Sequence, residues 1–446
     1  MLTSTYLLGQ RRFLPIFLTQ LLNAFNDNLY KNAMVLFVVY NVYSSAAAET
    51  IFSGIASAVF ILPFFLFSAF AGQLADMRDK AHIVRLVKAA EIGIMAIGSL
   101  GLTLAWLGML TTTIAIPLMM LALFAMGMHS TFFGPIKYAI LPQHLKSDEV
   151  LAGTGLVEAG TYVAIMGGTI LAGFVSAETA ALLVIAVAGI GYLVSRGVPP
   201  APPYEYGQVI DRHLIRSSIA LVRNTLHQRE VFYAILAISF FWTIGAVLFI
   251  QFPPLAKNVL MANKEVASLF LVTFSIGVAI GSVAINALLK GRVSARYCAA
   301  SVTMMGICVA GFYFVCRIWS NAVEPDVLLD VTAFLLEPLA PLVLISLLLI
   351  AVFGGMFVVP LYAFLTTKVD PSQASRTVAA NNIVNAGAMV GGSVLALALS
   401  MVGIPLAEQL LLSAAMCLVS AWLGWKLYEA EKFARAARAA ADATGA

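Results

Sequence analysis

Long apolar runs separated by short polar clusters dominate the chain. The runs lie at about 13–41, 51–73, 83–107, 113–134, 149–173 and 177–196. After a proline-rich polar stretch, a second set follows at about 231–256, 266–289, 295–318, 338–365, 374–400 and 404–426. Each provides the roughly 20 residues that an α-helix needs to cross a bilayer core. The pattern predicts an all-α integral membrane protein of twelve transmembrane helices in two six-helix halves. The expected domains are a first bundle over 1–196, a cytoplasmic linker over 197–230, a second bundle over 231–428 and a cytoplasmic tail over 429–446.

The first run is interrupted by Asn23, Asn26, Asp27, Asn28, Lys31 and Asn32. An ionised aspartate at membrane depth costs roughly 2.5–3.5 kcal/mol on insertion scales. Asn23, Asp27 and Lys31 follow one another at intervals of four, so they share one helix face. Asp27 and Lys31 are therefore expected to neutralise each other in part. The stripe must face protein or a water-filled cavity. It serves either as a polar clamp between packed helices or as the lining of a substrate path, unless the segment does not span.

Composition supports the membrane reading: 61% of the 446 residues are hydrophobic and 11% are charged, against about 25% charged in soluble domains. The net charge of +4 matters less than its distribution. Of 26 Lys and Arg, Lys257, Lys264 and Arg317 fall on one side and Lys31 lies inside the first helix. The rest gather on the opposite side or near its interface. The positive-inside rule then places both termini in the cytoplasm. No small-residue cleavage site precedes the first span, so no removable signal peptide is expected. The four cysteines lack metal-like or redox spacing.

The linker opens with Pro199, Pro200, Pro202 and Pro203, which favour an extended spacer. Beyond it, Ile210, Leu214, Ile215, Ile219, Leu221, Val222 and Leu226 mix with Arg212, Arg216, Arg223 and Arg229. This pattern suits an amphipathic helix on an anionic membrane surface. Glu324, Asp326, Asp330 and Glu337 mark an acidic outer loop with a short interfacial helix. The tail after Tyr428 is expected to form at most a fraying surface helix.

The halves echo each other. Pro135-Ile136-Lys137-Tyr138-Ala139 ends span four, and Pro360-Leu361-Tyr362-Ala363 ends span ten. Glu158-Ala159-Gly160 with Gly167-Gly168 in span five answers Asn385-Ala386-Gly387 with Gly391-Gly392 in span eleven. A duplicated six-helix unit suggests a transporter with a central cavity and rocking halves.

The loop Gly72-Gln73-Leu74-Ala75-Asp76-Met77-Arg78-Asp79-Lys80, with Arg85 beyond, resembles the loop signature of the major facilitator superfamily. Asp79 stands where glycine is usual. Gly72 permits close helix approach. Asp76 is expected to hold the start of the following helix or to pair with an arginine; with Arg78 and Arg85 it forms a candidate conformational gate. A closer resemblance lies in Ala24-Phe25-Asn26-Asp27-Asn28, in Phe133-Gly134-Pro135-Ile136-Lys137-Tyr138-Ala139-Ile140-Leu141-Pro142 and in Gly155-Leu156-Val157-Glu158-Ala159. These segments are similar to the lysophospholipid transporter family, including transporter domains fused to 2-acylglycerophosphoethanolamine acyltransferases. The resemblance is strongest over 13–173.

It implies a flippase that takes lysophosphatidylethanolamine and related lysolipids from the outer to the inner leaflet of the bacterial inner membrane. Reacylation by a cytoplasmic-face acyltransferase/acyl-carrier-protein synthetase follows. By motif match, Asp27 and Lys137 correspond to head-group-associated positions. Some relatives carry a basic residue in span seven; here Gly245 to Gln251 has none.

Read from the residues alone, Asp27, Lys31, Glu91, Lys137 and Glu158 form a charged wall, while the second half is mainly apolar. Such a cavity fits an amphiphile. The candidate substrate-binding residues are Asn23, Asp27, Asn28, Lys31, Lys137, Tyr138, Glu158, Gln251 and Asn385. A buried Asp27–Lys137 or Lys137–Glu158 brace is the structural alternative. His129 reads as a packed donor beside Ser130. No nucleotide-cradling motif, catalytic carboxylate pair or triad stands out. No catalytic residue, metal, cofactor or nucleic-acid partner is expected, and the chain is expected to be a monomer among membrane lipids. The competing functions are a proton-coupled exporter of drugs or small organic ions and a non-transporting membrane partner or scaffold.

Overall fold

The computed structural model describes residues 6–42, 46–204, 211, 213–322 and 328–444. Among them are twelve long helices: α1 Leu14–Asn41, α2 Ala46–Met77, α3 Lys80–Trp106, α4 Ile116–Ala139, α5 Val150–Phe174, α6 Ala177–Ser195, α7 Arg229–Asn258, α8 Lys264–Leu289, α9 Cys298–Ala322, α10 Ala340–Thr367, α11 Ala374–Met401 and α12 Leu406–Thr444. Among the described residues, ten of the twelve meet length and hydropathy requirements for crossing a membrane. The other two, α1 and α3, are of crossing length and carry Asp27 and Glu91, the acids of the buried polar network. The chain is a multi-pass membrane protein.

Two compact units result. One gathers α1 to α6 with residues 369–383, the opening of α11; the other gathers α7 to α10, the remainder of α11 and α12.

In the first unit α1 packs on α5 and α6, α3 on α4 and α6, and α2 on α4. Its interior holds an ionic cluster. Lys88 and Glu91, one turn apart on α3, form an ion pair with both side chains fully buried. Asn26 Nδ2 of α1 donates to Glu91 Oε1 at 2.7 Å, and His129 Nε2 of α4 lies 3.4 Å from Glu91 Oε2. The cluster ties three helices to one carboxylate, which is how a buried charge becomes tolerable.

In the second unit α8 packs on α10, α9 on α10 and α12, and α7 on α12. The α8–α10 crossing depends on small residues. A Cβ on Gly277 would stand 2.6 Å from Leu348 O, and one on Gly355 2.6 Å from Val278 O; one on Gly281 would run into the Val352 carbonyl. Gly277 and Gly281 have the four-residue spacing that lets membrane helices touch backbone to backbone. The internal repeat reappears in packing. Gly168 of α5 abuts the α1 backbone at Leu29 N, and Gly392 of α11 abuts Thr243 of α7, six helices later in each case.

The connections pin the first unit's basic end. The proline-rich start of the linker is extended, as expected, but it is a bound strap rather than a free spacer. Lys80 N donates to Ala201 O at 3.0 Å, Ala201 N to Asp79 Oδ1 at 3.2 Å, and Arg85 Nη2 to Val198 O at 2.8 Å. Beyond it lies the linker helix Leu214–Leu226; Ile210 and Arg212 lie outside the described residues. Before the first span, Arg12 grips Glu149 with two hydrogen bonds of 2.7 Å, while Lys146 N donates to the same carboxylate at 2.9 Å.

Of the acidic loop expected on the outer side, Glu324 and Asp326 lie outside the described residues. The expected short helix is Val331–Leu336, whose first turn is capped by Asp330. The tail departs from expectation. Helix α12 runs on to Thr444, and Glu431, 3% exposed, accepts from Ser294 Oγ and Ala295 N before α9. Alternating alanine and charge is a strong helix pattern, and one buried glutamate anchors its start.

Three outcomes follow for the purified chain. Gly281→Ala should lower the melting temperature by the equivalent of about 1–3 kcal/mol, whereas Gly311→Ala, whose Cβ meets nothing within 4 Å, should not. Glu91→Gln strands the Lys88 ammonium and should cost about 3–5 kcal/mol. Adding Lys88→Met should recover much of that loss in the same melting assay. The Arg12 hydrogen bonds hold the Glu149 carboxyl below its usual range, against the opposing effect of burial. Its stabilisation is therefore full above an ordinary glutamate pKa of about 4.3 and lost as pH falls through the lower folded-state value. Glu149→Gln should melt earlier than wild type at neutral pH, and the gap should close on acidification.

Candidate functional site

Adjacent residues on α1 turn their polar groups to different neighbours, because consecutive helical positions differ by about 100°. Asn26 faces α3 and α6, donating to Glu91 and, at 3.2 Å, to Val184 O. Asp27 faces α4. Its Oδ2 accepts from Ser130 Oγ at 2.5 Å and from Asn23 Nδ2 at 3.2 Å. The carboxylate is 7% exposed, and its other oxygen, Oδ1, has no hydrogen-bond partner among the described residues. The expected Asn23–Asp27 stripe is therefore present. Lys31 Nζ sits 5.5 Å from the Phe60 ring centroid and, among the described residues, makes no direct ion pair with Asp27, whose charge still acts on it from one turn away. Asn28 donates to its own helix at Ala24 O, 2.8 Å away.

A second polar station lies two turns further along α4. Lys137 follows Ser130 by seven residues, so both occupy one face about 10 Å apart along the axis. Lys137 Nζ stands 4.7 Å from the Tyr138 ring centroid. Tyr138 donates its hydroxyl to Glu158 of α5, which is 1% exposed. Among the described residues neither Asp27 nor Glu158 forms an ion pair with Lys137, so neither sequence-derived brace exists as a contact. Tyr138 supplies the hydrogen bond to Glu158 Oε1, while Oε2 has no hydrogen-bond partner among the described residues. Between the two stations Gly134 leaves room for Asn382, whose Nδ2 would stand 3.0 Å from a Cβ there.

At the basic end, Gly72 lets α2 meet the opening of α11: a Cβ there would come 2.6 Å from Ala379 Cβ. Asp76 accepts from Ser375 N at 2.9 Å and Arg376 N at 3.0 Å, and Arg376 Nε is 3.8 Å away. The carboxylate thus caps the N-terminus of α11, where free N–H groups and the helix dipole favour an anion. The helix that follows in sequence, α3, is capped instead by Asp79, which accepts from Ala81 N at 2.8 Å and His82 N at 3.2 Å. Arg85 binds the linker strap, and Arg78 is exposed.

The second-unit candidates have their own partners. Gln251 donates to Gln409 at 2.9 Å beside a small cleft lined by Val247, Gly392, Leu395 and Met416. Asn385 accepts from Ser239 at 2.7 Å. Sequence reasoning left out Ser130 as Asp27's donor, along with the Lys88–Glu91–His129 cluster. The three-residue spacing of Lys88 and Glu91 was a usable signal for part of it; a lone serine hydroxyl carried none. Among the described residues no group of three or more His, Cys, Asp or Glu is arranged to hold a metal ion.

Comparison with known proteins agrees with this architecture. The family model described as Major Facilitator Superfamily matches residues 16–337. A Photorhabdus laumondii protein named lysophospholipid transporter LplT is 22% identical over 358 residues, 78% of each chain. A Klebsiella pneumoniae protein of the same name is 25% identical over 378 residues, 81% of each chain. Among solved structures, a bacterial homologue of the iron transporter ferroportin superposes with a TM-score of 0.70 at 13% identity, covering 94% of this chain and all of that one. The human organic anion transporter MFSD10 gives 0.69 at 12% identity, covering 93% and 99%. These likenesses speak for the fold alone. With twelve long helices, a six-helix repeat and a family model spanning most of its length, the chain belongs to the Major Facilitator Superfamily.

Proposed function

We propose that this protein is a lysophospholipid transporter that moves lysophosphatidylethanolamine and related lysolipids from the outer to the inner leaflet of a bacterial inner membrane, by alternating access. The observation that carries the reading is the pairing of two polar stations on one face of α4. At one, Asp27 is held by Asn23 and Ser130, with one carboxylate oxygen lacking a hydrogen-bond partner among the described residues; at the other, Lys137 stands over the Tyr138 ring. An acid accepts a hydrogen bond from an ethanolammonium group, and a lysine attracts phosphate as a point charge. The acyl chain remains in apolar surroundings, where its transfer from lipid costs little. The curated relatives bearing the name lysophospholipid transporter support the substrate class.

In this reading Asn23 and Ser130 orient Asp27, Tyr138 and Glu158 position Lys137, and the Asp76–α11 cap holds one conformation and opens in the other. Both termini lie in the cytoplasm, the chain works as a monomer without chemical turnover of its own, and an acyltransferase on that side consumes the delivered lysolipid. One observation favours a second reading: the His129 imidazole lies 3.4 Å from the Glu91 carboxylate in the interior of the first unit, an acid–base arrangement that a proton-coupled exporter of small organic ions would use.

The test is leaflet-specific movement of labelled lysophosphatidylethanolamine in proteoliposomes. Asp27→Asn and Lys137→Gln should each lower the rate by about tenfold or more, the scale of a lost charged hydrogen bond of 1.5–3 kcal/mol. Normal kinetics in both variants across ethanolamine-, glycerol- and choline-headed lysolipids would remove the head-group assignment. Transport that follows an imposed pH gradient, with no lysolipid movement, would favour the exporter.

A further inference from the structure

The linker helix Leu214–Leu226 is mounted in an unusual sense. Its serine face is turned inward: Ser217 and Ser218 are 5% and 7% exposed. Gln73 Nε2 of α2 donates to Ser217 Oγ at 2.6 Å, Asp211 N donates to Gln73 Oε1 at 2.9 Å, and Ser218 Oγ reaches Phe65 O at 3.4 Å. The outward side carries Ile215 and Ile219, 69% and 64% exposed. Helical spacing puts Arg216 and Arg223, both exposed, beside them. Docking polar groups inward while presenting isoleucines outward is costly in water and favourable at a lipid interface. Arginines flanking an apolar stripe supply the charge complement for anionic head groups.

Gln73 has a second significance. Its neighbour Gly72 touches the opening of α11, and Asp76, one turn later, caps that helix. The same end of α2 thus holds the linker helix on one face and the start of α11 on another.

We propose that Ile215, Arg216, Ile219 and Arg223 form a docking face for the anionic glycerophospholipid surface of the bilayer, and that Gln73 couples docking to the Asp76–α11 contact. Membrane composition then sets how firmly that contact is held. The coupling half rests on reading that contact as a gate, as proposed above; the docking half does not, and neither depends on the substrate.

Amide hydrogen exchange of the full chain in nanodiscs tests both halves, comparing neutral lipid with a mixture containing phosphatidylglycerol. Anionic lipid should slow exchange at 214–226 and at 374–383 in the wild type. Two arginines at the surface are worth about thirtyfold in the docking equilibrium. Arg216→Gln with Arg223→Gln should abolish the lipid response at both segments. Gln73→Leu should abolish it at 374–383 and leave it at 214–226. A response at 214–226 that survives the double arginine change overturns the docking face; one at 374–383 that survives Gln73→Leu overturns the coupling. Loss of lysolipid transport with both exchange patterns intact would count against the proposed substrate and leave this inference standing.

Discussion

A carboxylate buried among membrane helices must find its partners inside the bundle, and much of the first unit follows from that requirement. Glu91 and Asp27 meet it differently. Glu91 is surrounded by Lys88, Asn26 and the nearby His129, so both its oxygens are engaged and the group acts as a brace. Among the described residues Asp27 receives hydrogen bonds only from neutral donors, Asn23 and Ser130, and both bind the same oxygen. The brace holds α1, α3 and α4 in register; the half-satisfied acid beside it is left able to bind something else. Low dielectric strengthens a made hydrogen bond and raises the cost of an unmade one.

The second unit relies on close contact at its α8–α10 crossing. Gly277, Gly281 and Gly355 bring α8 and α10 to backbone distance, where dispersion and weak polar contacts replace the hydrophobic drive that lipid cannot supply. Its candidate polar residues are neutral and satisfied locally, Gln251 by Gln409 and Asn385 by Ser239.

The Gly72–Asp76 end of α2 shows how one short segment serves several elements. Asp76 caps a helix nearly three hundred residues away in sequence, Asp79 caps the next one, and Gln73 carries the linker helix. With Asp79 in the place where the superfamily pattern has glycine, the loop gains a cap for α3 and a hydrogen bond to the strap at Ala201. The departure from pattern thus adds a function at that position.

Twelve helices and the echo between their two sets of six were legible along the chain, because lipid requires each span to be continuous and apolar; that the opening of α11 groups with the first unit was not. The charged interruption in the first span was equally plain, and the i, i+4 rule correctly joined Asn23 to Asp27. What the sequence could not decide was which partner each charge would choose. Lys31 lies over Phe60, Glu158 takes its hydrogen bond from Tyr138, and Asp76 caps α11 and draws Arg376 while Asp79 caps α3. Spacing along a helix determines which residues share a face, but a hydrogen bond between helices depends on rotation and depth, and these emerge only when all the helices pack together.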